Sequence, residues 1–238
     1  MQAEVEGQER NLHAVARQFA GREPRVERVA DRWVLVGPTL DAAYDNGAGS
    51  IHEAAVELMR NLDGAMRVVD PQHRPLRVTG RYHGPSGWVT EIVLEAAIEL
   101  EATAAVHATL SGGTPVAPPP PPGPDLLDTA ADHADLGEVL DLMGGPDRLS
   151  TFDLWKVLEI VRESVGGPEP RSATPALLNK GWLTKDEWDS QGAVLHDPAR
   201  SGKDARHARH RPSSANPMSL GEAREVVSRV VRDWAASL

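Results

Sequence analysis

The chain has 238 residues and a formal net charge of −10, with 40% hydrophobic and 25% charged residues. That length can hold two cores, and the acidic balance excludes a protein that coats duplex DNA or an anionic membrane with its whole surface, while leaving room for a local basic site. There are no cysteines, which excludes disulfides, thiol catalysis and Cys-ligated zinc.

Residues 1–24 mix acidic and basic side chains and lack the apolar stretch of a leader peptide. They read as a helical or disordered lead. No apolar run approaches the roughly 18 residues that cross a bilayer, so the expectation is a soluble, cytoplasmic bacterial protein with no membrane partner.

Residues 25–116 read as an α+β domain. The short apolar run RWVLV (32–36) is a strand that stops at Gly37-Pro38. Ser50 and Glu53 have capping-box spacing. Behind them Ile51, Ala54, Ala55, Leu58, Leu62, Ala65, Met66 and Val69 recur at helical spacing until Asp70-Pro71. The period then changes to two. Residues 75–82 and 88–96 flank Gly84-Pro85-Ser86-Gly87, the signal of a hairpin. Alternation continues from Ala97 to Leu110. The pattern predicts a small antiparallel sheet with a helix packed on it. Glu95, Glu99 and Glu101 fall on its wet face, and Tyr82, His83 and Trp88 form a minor binding candidate at the hairpin end.

Ala117 to Pro124, APPPPPGP, locks φ and removes backbone donors, so it reads as a polyproline linker. Beyond it, residues 125–238 carry helix signals only and read as an all-helical bundle domain. An acidic helix over 125–143 comes first. Ser150 caps a helix whose stripe is Leu154, Val157, Leu158, Val161 and Val165, widened by Trp155 and Ile160. Thr184 with Glu187, and Ser219 with Glu222, have capping-box spacing. The last helix shows Ala223, Val226, Val227, Val230, Val231 and Trp234 on one face. Trp155, Trp182, Trp188 and Trp234 read as core or dimer contacts.

One stretch breaks the acidic pattern. Between Pro198 and Arg211 lie Arg200, Lys203, Arg206, Arg209 and Arg211, with His207 and His210, against a single Asp204. With hardly any apolar residue it cannot bury a face of its own and belongs at a surface or interface. His207, His210 and the remoter His196 have the chemistry of metal ligands, but the surrounding cations oppose a divalent ion. No metal or cofactor is expected. As a solvated helix the stretch would pair with Asp125, Asp128, Asp132, Asp135, Glu138 and Asp141. As a nucleic-acid contact it would use Lys203, Arg206, Arg209, His210 and Arg211. As a catalytic site it would use Arg200 and His207, seven apart and so on one face of a helix, supplying a phosphate-holding cation and a base.

The order of a central apolar helix, a polar helix with Arg and His, then a capped terminal helix resembles the HEPN family of small helical bundles. RSGKDARH (200–207) is similar to the Arg–spacer–His motif of its ribonuclease members. The resemblance implies dimerisation, metal-independent RNA cleavage by Arg200 and His207, and a place in a defence or toxin system. Ser201 stands where that family usually has a strongly polar residue, and Gly202 interrupts the helix pattern. The whole chain also resembles a group of uncharacterised bacterial proteins, through FDLWKVLEIVRESVGG, ARHAR and NPMSLGEA.

Two functions therefore stand at the level of sequence. The first is a non-catalytic interaction or regulatory protein, with a protein partner or a homodimer formed through its helical bundle. The alternative is a metal-independent HEPN-type ribonuclease.

Overall fold

The computed structural model describes residues 1–46, 49–85, 87–90, 122–145, 149–167, 176–195 and 218–238. The chain is α+β: a five-stranded antiparallel sheet built from its N-terminal part, followed by helices. Strands β1 (Gln2–Glu6), β2 (Arg25–Val29), β3 (Arg32–Val36), β4 (Arg77–Gly84) and β5 (Gly87–Thr90) are ordered β2-β3-β1-β4-β5.

The N-terminal lead is the first departure from expectation. Residues 2–6 form β1, the central strand, and α1 (Glu9–Gln18) follows directly. In β1 only Ala3 and Val5 are apolar, and both point into the core. The strand is specified by its neighbours, through Gln2↔Val36 and Val5↔Trp33 on one side and Gln2↔His83 and Glu6↔Arg77 on the other. Strand preference depends on such context, and a five-residue segment carries too little of it alone. The expected strand at 32–36 and the hairpin are present, the latter as β4 and β5 joined between Gly84 and Gly87. The part of the hairpin beyond Thr90 and the alternation over 97–110 lie outside the described residues.

Helix α2 (Pro38–Asn46) leads to α3 (Gly49–Val69), which opens one residue ahead of the serine expected to cap it. α3 is the axis of the molecule. One side meets the inward face of the sheet and α1, where Val5, Val26, Leu35 and Tyr82 share a core with Ile51, Ala55 and Leu62. His52 Nδ1 lies 2.6 Å from the Tyr82 hydroxyl across this contact.

The other side of α3 meets α5. The linker expected over 117–124 ends earlier than Pro124, because α4 (Pro122–Asp132) begins inside it. Proline is tolerated in the first turn of a helix, where its missing N–H has no intrahelical partner to lose. Residues 117–121 lie outside the described residues. The single helix expected over 125–143 is two, since the extended backbone of His133 (φ −127°, ψ 100°) separates α4 from α5 (Ala134–Gly144).

Helix α6 (Thr151–Gly166) has the expected start. Ser150 Oγ accepts from the Asp153 amide at 3.2 Å, and Asp153 Oδ2 accepts from the Ser150 amide at 2.9 Å. Leu154, Val157, Leu158 and Val161 are fully buried. The boxes at Thr184–Glu187 and Ser219–Glu222 likewise open α7 (Lys185–Leu195) and α8 (Leu220–Ala235). Trp155 packs against Trp188 with ring centroids 4.9 Å apart, and Trp234 is buried.

Sheet and bundle were expected as two domains. The buried apolar residues of residues 1–90 and of 122–238 form one continuous cluster. α3 carries that continuity, because it contacts β4 on one side and α4, α5 and α8 on the other.

Candidate functional site

The connection between α3 and β4, DPQHRP (70–75), crosses the line where sheet and bundle meet. Its fold is locally encoded. Asp70 Oδ1 accepts from the Gln72 amide at 3.0 Å, an Asx turn, and the Asp70 carbonyl accepts from the His73 amide at 2.9 Å. These bonds turn the chain back over the end of α3.

Two charged residues of α3, Asp63 and Arg67, are one helical turn apart and both buried, at 1% and 3% exposure. Asp63 Oδ1 lies 2.7 Å from His73 Nε2, and Oδ2 accepts from the Leu76 amide at 2.9 Å. Arg67 Nε donates to the His73 carbonyl at 3.3 Å, and its Nη1 donates to the Met143 carbonyl at the end of α5. Ser228 of α8 donates its hydroxyl to the Arg67 carbonyl at 2.8 Å. Asn11 of α1 donates to the Arg74 carbonyl at 3.1 Å. Two helices, α3 and α1, thus bond the connection directly, and α5 and α8 bond the Arg67 that braces it.

Burial pushes the Asp63 carboxyl above the usual carboxylate range, against hydrogen bonds from His73 and Leu76 and the charge of Arg67. The Asp63 contact also orients the His73 ring. With Nε2 committed, Nδ1 is the nitrogen left to act, and it has no hydrogen-bond partner among the described residues although the side chain is fully buried.

Beside this cluster is a cavity of about 310 Å³. Its polar wall is Arg67, Gln72, His73, Arg74 and Arg224, and its apolar wall is Pro71, Leu149 and Leu220. Arg224 is held across it, with Nη2 donating to the Leu149 carbonyl at 3.0 Å. The wall comes from α3, the 70–75 connection, the residue before the α6 cap and the first turns of α8. Its volume is at the small end for ligand pockets. Three arginine residues are among its lining, and arginine presents a planar fork of donors that matches carboxylate and phosphate oxygens.

The residues that stand out in sequence are a different set. Arg200, Lys203, Arg206, His207, Arg209, His210 and Arg211 fall outside the described residues, as does His196. Of the hairpin residues, Tyr82 is buried and faces α3, whereas His83 and Trp88 lie on the opposite face of the sheet. Their rings are 5.1 Å apart, and the Arg32 guanidinium lies 5.1 Å over the Trp88 ring, which is 42% exposed. Asp63, Arg67 and His73 drew no notice in the sequence. The available signal was a pair of opposite charges four apart inside an apolar helix, followed by histidine just after the Asp-Pro stop.

Among the described residues, no helix is long and apolar enough to cross a membrane. No family model matches the chain, and neither does any curated protein or solved structure.

Proposed function

We propose that the chain is a non-catalytic regulatory protein, in which occupancy of the arginine-lined cavity is passed to a protein partner or a second copy bound through the helical bundle. One observation supports this reading above the others: the cavity wall is shared between the sheet connection and the entries to α6 and α8. A ligand there would touch three segments, of which the entries to α6 and α8 are already joined by the Arg224–Leu149 hydrogen bond. Filling the cavity would stiffen the start of α8, the helix into which the basic stretch 198–211 leads in sequence. The test is the mass of the full chain by light scattering at micromolar concentration, with and without millimolar phosphate. The reading expects a dimer whose dissociation shifts at least several-fold with the anion. A monomer under both conditions contradicts the homodimer form, and a dimer indifferent to the anion contradicts the regulation.

A second reading, the HEPN-type ribonuclease, draws support from the packing of α6 against α8, with RSGKDARH in the chain between α7 and α8. It expects labelled RNA to be cleaved in excess chelator, and cleavage to be lost in both Arg200→Ala and His207→Ala. Cleavage that survives both substitutions, or none at any protein concentration, removes it.

A further inference from the structure

We infer that residues 71–75 form a strap that swings off the end of α3, carrying the His73 ring into solvent and opening the cavity beside it. The strap stands on its own geometry, and only its use in regulation rests on the reading above.

Closure buries little. Within the strap only His73 is buried, while Gln72 is exposed and Pro71, Arg74 and Pro75 are half-buried. One polar ring and hardly any apolar surface are thus taken from water, the mark of a segment that opens far more readily than the core does. The prolines have no amide hydrogen to give, and the amides of Gln72 and His73 bond to Asp70 rather than to another element. Ties to the rest of the fold include the Asp63–His73 contact, a long bond of 3.3 Å from Arg67 Nε to the His73 carbonyl, and the bond from Asn11 to the Arg74 carbonyl.

Both ends of the strap are pinned. Asp70 donates its amide to the Met66 carbonyl at 2.7 Å, and Leu76 donates its amide to Asp63 Oδ2 at 2.9 Å. Between these fixed points the chain can leave the surface without unravelling α3 or β4.

The closed state carries costs that opening removes. His73 Nδ1 belongs to a fully buried side chain, is closed to water and has no partner among the described residues. A ring nitrogen in that condition is costly whether it holds a proton or a lone pair, and only motion of the strap brings water to it. Burial also holds the Asp63 carboxyl above its ordinary range, a second cost that entering water relieves. Each tie that breaks is exchanged for a bond to water at small net loss. Pro71, Gln72, His73 and Arg74 make up one wall of the cavity, so the same motion unroofs it.

The ring is its own reporter. Diethyl pyrocarbonate acylates accessible imidazoles, and mass spectrometry of the full chain follows His73 beside His13, whose side chain is 62% exposed. The ratio of initial rates reads the opening equilibrium. A ring released only by global unfolding would react about 10⁴-fold or more slowly than an exposed one in a chain of ordinary stability. The expected ratio is within about a thousand-fold. It should hardly change in urea below the unfolding transition, because so little surface is exposed. Asn11→Ala, with unchanged circular dichroism, should raise the His73 rate several-fold by cutting the tie to α1. A His73 rate that climbs in urea with the full slope of global unfolding, or a ring that stays unreactive until the chain unfolds, overturns the strap. So does a folded Asn11→Ala chain with an unchanged rate, and the urea dependence of the parent chain decides if that variant does not fold. A mass indifferent to phosphate, with His73 reacting as expected, removes the regulatory reading and leaves the strap intact. A mass that shifts while His73 reacts only on global unfolding does the reverse.

Discussion

Two sides of α3, one residue apart in sequence, are closed in opposite ways. Toward α5 the helix presents Gly64, and α5 answers with Gly144. A Cβ on Gly64 would sit 2.0 Å from the Leu140 carbonyl oxygen, and one on Gly144 would sit 1.8 Å from that of Arg60. The two backbones touch, and shape alone seals the contact. Toward the 70–75 connection the same helix presents Asp63 and Arg67, and the contact is sealed by hydrogen bonds with a cavity left beside it. Arg67 joins the two sides, since its Nη1 bonds the carbonyl of Met143, next to Gly144. The difference separates a contact sealed by backbone shape from one sealed by hydrogen bonds beside a cavity.

The largest effect should come from the rigid side. Gly144→Ala places a methyl group against backbone that no side-chain rotation can move, and should cost about 3 kcal/mol or more. Urea denaturation measures it, and a loss under about 1 kcal/mol would mean the helices are not in backbone contact.

Next comes the polar side. Asp63→Ala removes the acceptor for the Leu76 amide and for His73. It should cost about 2–3 kcal/mol, because two buried donors are left unsatisfied. If Asp63→Ala proved as mild as a surface change, the cluster would not be holding the connection. Ser228→Ala deletes a single buried bond, the one to the Arg67 carbonyl, and should cost about 1 kcal/mol in the same measurement.

The smallest effect is acid dependence. Burial acts to raise the Glu187 pKa, but hydrogen bonds from Thr184 and the charge of Arg229 outweigh it, and the net direction is down. The folded state therefore binds fewer protons than the unfolded one as pH falls below the ordinary carboxylate value of about 4.3. Stability from this cap is full above that value and is lost as pH drops through the lower, folded one. Asp63, shifted upward, has the opposite sign: its contribution declines as pH rises from the ordinary carboxylate value through its higher folded one. A Glu187→Gln variant should flatten the acid limb of a pH–stability curve by under about 1 kcal/mol. A limb as steep as that of the parent chain would assign the acid sensitivity to other groups.

These contrasts also explain what sequence reading could reach. Helix starts at Ser150, Thr184 and Ser219 were legible because a capping box is complete within four residues. The turn at Gly84–Gly87 was legible for the same reason. β1 was not, because its partners lie about 30 and about 75 residues away and its own alternation is two residues deep. The glycine crossing was illegible too: Gly64 and Gly144 look like ordinary helix-weakening residues until the helices are brought together. The cavity is the extreme case, assembled from Arg67, residues 71–74, Leu149, Leu220 and Arg224. The basic stretch around Arg200 and His207 stands out by contrast because its charge is concentrated in sequence rather than gathered by folding.

The central claim is that occupancy of the cavity beside α3 is passed to self-association, and the most direct reporter is the mass of the full chain. Light scattering at micromolar concentration, with and without millimolar inorganic phosphate, should show a dimer whose dissociation shifts at least several-fold with the anion. A monomer under both conditions, or a dimer indifferent to the anion, would contradict the account.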